Sequence, residues 1–175
     1  AFRAALGARK TIVGLEPSCT LMFRDEAVNL IPEWSEEHGA QILTFAEYIM
    51  QNPPAGLDMS GLDVLVHGHC HQKAMGVAQH TVDAVKSVLG ANAQMIDSSC
   101  CGMAGSFGYQ AETAEVSRQM AELSLAPTVR AAPTDTVVLA DGFSCRCQIK
   151  DVTERKAMNL ALLMDRALQE HVTNH

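Results

Sequence analysis

The chain has 175 residues, a mass of 18.8 kDa and a formal net charge of −7, with 47% hydrophobic and 19% charged residues. That length and hydrophobic share suit one ordinary domain with its own core and exclude a disordered chain. The basic residues are scattered, only five Phe, two Tyr and one Trp are present for stacking, and no apolar run reaches the roughly 18–20 residues of a membrane-spanning helix, so neither a nucleic-acid partner nor a spanning segment is expected.

Taken in order, Thr11-Ile12-Val13-Gly14-Leu15 is a short strand, followed by helical segments over 20–30 and 41–50, with Pro32 between them. Asn52-Pro53-Pro54-Ala55-Gly56 is a break. A strand at Leu62–His67 leads into a helix from His71 to Leu89, stopped by Gly90. A third strand covers Gln94–Asp97. A glycine-rich turn from Gly102 to Gly108 precedes a helix over 110–126, where Pro127 kinks or ends it. The fourth strand is Thr136–Ala140, and a last amphipathic helix runs from Thr153 to about residue 170. Apolar strands alternating with helices predict an α/β fold: a short parallel sheet flanked by helices on both faces, in Rossmann-like layers.

The cysteines carry the chemistry. Cys19, Cys70, Cys100-Cys101 and Cys145-Arg146-Cys147 all follow an expected strand. The carboxyl ends of parallel strands share one edge, where open α/β sheets bind ligands. Thiols there sit at helix N-termini, which favours the thiolate and so a lowered pKa. For any one cysteine the bland alternative is a small buried hydrophobe, and Cys147 is taken as structural as readily as functional.

Three uses remain open on spacing alone. Zinc would have His67, His69 and His71 beside Cys70, but lacks the usual C-x2-C pair. An iron–sulfur cluster would draw on Cys70, Cys100, Cys101 and Cys145, with Cys19 as a fifth thiolate, and Gly102, Gly105 and Gly108 would let backbone N–H groups approach sulfur. A metal-free thiol-redox domain would use the vicinal Cys100-Cys101 pair. The strand–turn–Ser-Cys pattern at 11–19 also echoes that at 136–145, so residues 1–50 are expected to close one repeat and 57–175 to form the next. The start at Ala1-Phe2-Arg3, without Met, is what a piece of a longer protein would show.

Leu15-Glu16-Pro17-Ser18-Cys19, His67-Gly68-His69-Cys70-His71-Gln72-Lys73, Cys100 through Tyr109, and Asp141-Gly142-Phe143-Ser144-Cys145 together resemble the cysteine-rich CCG domain. That domain occurs in heterodisulfide reductase and in the iron–sulfur subunits of glycolate oxidase and anaerobic glycerol-3-phosphate dehydrogenase. The pattern is most like the C-terminal part of fused FAD-linked D-2-hydroxyacid oxidoreductases of lactate, glycolate or 2-hydroxyglutarate type.

The resemblance implies a 4Fe–4S cluster held by Cys70, Cys100, Cys101 and Cys145, with Cys19 matching the last cysteine of the preceding repeat. His69, His71 and Gln72 are candidates to hydrogen-bond around it. It further implies FAD and ferredoxin-like domains upstream in the same polypeptide, a downstream electron acceptor, and a place in the cytoplasm or at the inner face of a membrane. No catalytic side chain is assigned to this segment, and zinc or empty thiols are expected after isolation in air. The family's closing C-x-x-C is here Cys145-x-Cys147, which puts a five-thiolate cluster in doubt unless Cys19 or Cys147 substitutes.

Overall fold

The computed structural model describes residues 2–173, with side chains over 4–172. In chain order it runs α1 (Phe2–Gly7), β1 (Ile12–Gly14), α2 (Pro17–Leu21), α3 (Ala27–Leu30), α4 (Glu36–Gly39), β2 (Ile42–Thr44), α5 (Phe45–Gln51), β3 (Asp63–Val66), α6 (Cys70–Ala74), α7 (Gln79–Leu89), β4 (Asn92–Met95), α8 (Ala114–Glu122), α9 (Leu125–Ala131), β5 (Val137–Leu139), α10 (Phe143–Thr153), β6 (Ala157–Met158) and α11 (Leu160–Thr173). Every strand pair among them is parallel. β1 pairs with β2, setting Ile12 opposite Ile42 and Gly14 opposite Thr44. The other strands form a sheet ordered β4-β3-β5-β6, with Val64 opposite both Ala93 and Val137.

The α/β class and the parallel pairing agree with the sequence reading. The strands differ from it in number and grouping, with six among the described residues, divided between two sheets. β2 is hidden in sequence because Ile42-Leu43-Thr44 runs directly into α5, so a three-residue strand and a helix read as one helical segment. Thr44 ends the strand and caps the helix. Its hydroxyl accepts from the Glu47 N–H, and the Glu47 carboxylate accepts from the Thr44 N–H at 2.9 Å.

Period-2 alternation sorts the central sheet onto two faces. Val64, Val66 and Leu139 pack with Ala46 and Ile49 of α5, Val82, Val85 and Leu89 of α7, and Leu160 and Leu163 of α11. Val138 and Ala140 face the other way, onto Leu125 and Val129 of α9 and Ile149 of α10. Cys101 and Cys145 belong to this second core. Burying such side chains stabilises by about 1.5–3 kcal/mol each, which is ample to hold short strands in place.

Four further helical readings differ from the structure, the first being the segment 20–30, which is divided between the two short helices α2 and α3. The segment 71–89 is two helices, α6 and α7. The segment 110–126 breaks at Leu123-Ser124, and Pro127 lies in the first turn of α9, where its missing N–H costs no helical bond. The last amphipathic segment begins only at Leu160. Residues 153–154 instead close α10, with Glu154 in the left-handed conformation at φ 60°.

Two units share a plan. β1, α2 and β2 form one parallel β-α-β unit, and β5, α10 and β6 form another. Both place a Ser-Cys pair, Ser18-Cys19 or Ser144-Cys145, in the first turn of the first helix. A direct bond joins them: the Phe143 N–H donates to Glu16 Oε2 at 2.7 Å.

Candidate metal centre

In the central sheet β3 has β4 on one side and β5 on the other, so the chain changes direction around β3. A crevice at the carboxyl ends of the strands is the expected ligand site of such a sheet. Three loops meet there: 67–70 after β3, 96–101 after β4 and 140–145 after β5.

Four thiols form a continuous series across this crevice. Cys70 interacts with Cys100, Cys100 with Cys101, and Cys101 with Cys145. The series descends from exposed Cys70, through half-buried Cys100, to buried Cys101 and Cys145. At its inner end a ring nitrogen of His67 and the sulfurs of Cys101 and Cys145 all lie within 4.8 Å of one another.

Contrary to the expectation of lowered thiol pKa values, Cys70, Cys100 and Cys101 resist ionisation. Burial and the neighbouring Cys100 push Cys70 up. Cys100 rises through its bond with Cys101 and through burial. For Cys101 the bond with Cys100 works downward, but the bond with Cys145 and burial outweigh it and set the thiol at about 12. Crowded sulfurs cannot all become anions beside one another, and a five-residue α6 supplies too little dipole to offset that. A cation among them removes the penalty, since a coordinating thiol loses its proton outright. Thiols with an imidazole are the soft donor set that zinc and iron–sulfur centres take, so the residues present fit such a group.

Lys73 supplies positive charge to the same place. Its ammonium donates to the Ser98 carbonyl and, at 3.0 Å, to the Ser99 carbonyl, pinning the loop that carries Cys100. Burial lowers its pKa, while Cys145, Cys70 and Cys100 act in the other direction.

The remaining expected residues fall into distinct positions. His69 is the N-cap of α6: its Nδ1 accepts from the His71 N–H at 3.2 Å, and its own N–H donates to Gln72 Oε1 at 3.0 Å. Burial is the first cause of the lowered His69 pKa. Gln72 then donates to Asp141 Oδ2 at 3.2 Å, tying the β3 loop to the β5 loop. His71 faces Asp25 at 3.3 Å, on the rim of an open cavity of about 480 Å³ that reaches Cys70, Met103 and Gly105. The Gly102 N–H donates to Cys100 Sγ at 3.3 Å, as expected of a backbone group near sulfur. Gly102 also needs its φ of +90°, and a Cβ there would lie 2.1 Å from the Ser117 carbonyl. Gly108 is required by Met103, whose sulfur would lie 2.1 Å from an added Cβ, rather than by the thiols.

Two cysteines are not brought into the series. Cys19 is exposed and lines a separate cavity with Leu15, Thr20 and Phe23. Cys147 is half-buried beside Tyr109, whose pKa it raises. A larger cavity of about 510 Å³ lies at the opposite, amino ends of β3, β4 and β5, away from every cysteine.

Sequence reasoning gave no role to Asp141 or Gly142, although both stand in the motif that carries the resemblance. Asp141 gathers Gln72, Thr81 and the Leu160 N–H on one carboxylate, at 3.0–3.2 Å. Gly142 admits His69 and Cys145, because a Cβ there would lie 2.5 Å from the His69 ring and 3.1 Å from Cys145 Sγ. The Asp141-Gly142 pair at a strand end is the available signal for both. His67 stood among the zinc candidates, and nothing in the local sequence separates its ring from those of His69 and His71.

The chain matches no family model and no solved structure. It is 32% identical over 146 residues to a D-2-hydroxyglutarate dehydrogenase of Pseudomonas putida, across 83% of this chain and 14% of that protein. The D-2-hydroxyglutarate dehydrogenase of Escherichia coli K12 is also 32% identical over 146 residues, across 81% of this chain and 14% of its own length. One polypeptide of the anaerobic glycerol-3-phosphate dehydrogenase of E. coli K12 is 25% identical over 171 residues, across 95% of this chain and 43% of its own length. The chain thus spans 14% of the length of the two hydroxyglutarate dehydrogenases. Among the described residues no helix is long and apolar enough to cross a membrane. The cysteine loops and the match to a small part of these larger dehydrogenases fit a cysteine-rich CCG-type domain.

Proposed function

We propose that the chain is the electron-transfer domain of a flavin-linked 2-hydroxyacid dehydrogenase, in which Cys70, Cys100, Cys101 and Cys145 hold a 4Fe–4S cluster. The observation that carries this reading is the unbroken series of four thiols at the carboxyl edge of the sheet. The dehydrogenase relatives supply the substrate class, a D-2-hydroxyacid such as 2-hydroxyglutarate. FAD, a ferredoxin-like domain and hydroxyacid oxidation then belong to other segments of the same polypeptide, and residues 1–50 close a first repeat while 57–175 form the second.

When bound, the cluster supplies reversible one-electron transfer. The protein's part is placement and charge. Burial of Cys101 and Cys145 keeps water from the inner side, and exposed Cys70 leaves a short path to a partner at the surface. The Lys73 ammonium offsets thiolate charge, and the Gly102 N–H points at Cys100 sulfur. His71 and the cavity beside Cys70 form the rim a partner would meet.

Anaerobic reconstitution of the chain tests this. Iron and sulfide should approach about four of each per chain, with broad brown absorption. Cys101→Ser should cut that loading sharply. Stoichiometric zinc with neither iron nor sulfide would overturn the cluster and favour a zinc-stabilised interaction module, a second reading that the tight His67–Cys101–Cys145 group supports.

A further inference from the structure

Resting on the reading of these thiols as a metal centre, we propose that the imidazole of His67 is a direct nitrogen ligand to the metal that Cys101 and Cys145 hold. His67 is 1% exposed and sits immediately after β3, fixed by its own N–H, which donates to the Leu139 carbonyl at 2.8 Å. Its two ring nitrogens are in different situations. Nδ1 lies 2.9 Å from Ser98 Oγ. Nε2 is buried and has no hydrogen-bond partner.

An unsatisfied polar atom in a core is costly, and such atoms are rare enough to call for a cause. Here the cause is adjacent: the ring lies beside the sulfurs of Cys101 and Cys145. Ser98 Oγ can take the Nδ1–H and also accept from the Lys73 ammonium at 3.5 Å. In that tautomer Nε2 keeps its lone pair for a metal. The neighbouring histidines are committed elsewhere, His69 to capping α6 and His71 to Asp25. His67 therefore brings a fifth donor to the four thiols.

Co2+ added anaerobically to the metal-free chain is a direct probe, because it reports its ligands whether the native metal is zinc or iron. The wild type should bind with thiolate-to-cobalt absorption and show, by pulsed EPR, a nitrogen coupling that changes on 15N-histidine labelling. His67→Gln should abolish that coupling, shift the d–d bands and weaken binding about tenfold or more. Should His67→Gln not fold, retention of the coupling in His69→Gln and in His71→Gln assigns it to His67. Absence of the coupling in cobalt-loaded wild type, or an unchanged spectrum and affinity in folded His67→Gln, overturns the proposal. Nitrogen-coupled cobalt in a chain that takes up no iron and sulfide upholds His67 while sinking the cluster. Four iron and four sulfide without the nitrogen coupling does the reverse, and failure to bind any of these metals sinks both.

Discussion

At the scale of single residues, charge and contact around the thiols make two variants informative. Lys73 places an ammonium among Cys145, Cys70 and Cys100 and anchors the Ser98 and Ser99 carbonyls. Lys73→Met should make the reconstituted centre harder to reduce, because removing a positive charge disfavours the added electron. Redox titration should therefore find a more negative midpoint potential, and an unchanged value would place the ammonium outside the centre's field. Gly142→Ala should lower metal loading several-fold, since its methyl group would collide with His69 and Cys145. The fold itself should survive, because the collision is with movable side chains rather than backbone. The thiols were legible in the sequence, as four cysteine positions after apolar runs. The ring of His67 was legible only as one of three zinc candidates, because its partner Ser98 lies 31 residues away and only the fold brings them together.

At the scale of elements, β3 and β5 of the central sheet were legible because residues 64–66 and 137–140 are continuous apolar runs. β2 was not, because it runs directly into α5, and β6 was not, because two residues are too few to show a period. What fixes β2 is the cap that follows it. Burial opposes the charge on Glu47, but the two-oxygen grip on the Arg24 guanidinium, at 2.8 and 2.7 Å, and the Thr44 donors outweigh it and hold the carboxyl below its usual range. A folded-state pKa below the unfolded one contributes stability above the unfolded pKa, and that stability is lost as pH falls through the folded value. Glu47→Gln should therefore cost about 2 kcal/mol at pH 7 and flatten the loss of stability below about pH 4.3. Urea midpoints at pH 7 and pH 4 check both, and parallel pH curves for the two proteins would contradict the assignment.

At the scale of the whole molecule, the metal reading assigns the two β-α-β units different fates. The thiol series belongs to the loops after β3, β4 and β5, and Cys70 and Cys145 are separated by most of the central sheet in sequence. Joining these loops through one centre closes long chain segments and stabilises only the folded state, so loading should raise the melting temperature and a chelator should reverse it. The unit built on β1, α2 and β2 touches this region through Glu16 and Phe143 but keeps Cys19 on a separate cavity. Amide exchange on metal loading should therefore slow at 67–70, 96–103 and 140–147, with little change over 11–21, and Cys19→Ser should load as the wild type does. Equal protection over 11–21, together with reduced loading of Cys19→Ser, would draw the first unit into the centre, as the five-thiolate expectation required. Restriction of the effect to the three central loops would instead mean that one switch point of a parallel sheet, with its four thiols and one imidazole, is enough to build the site.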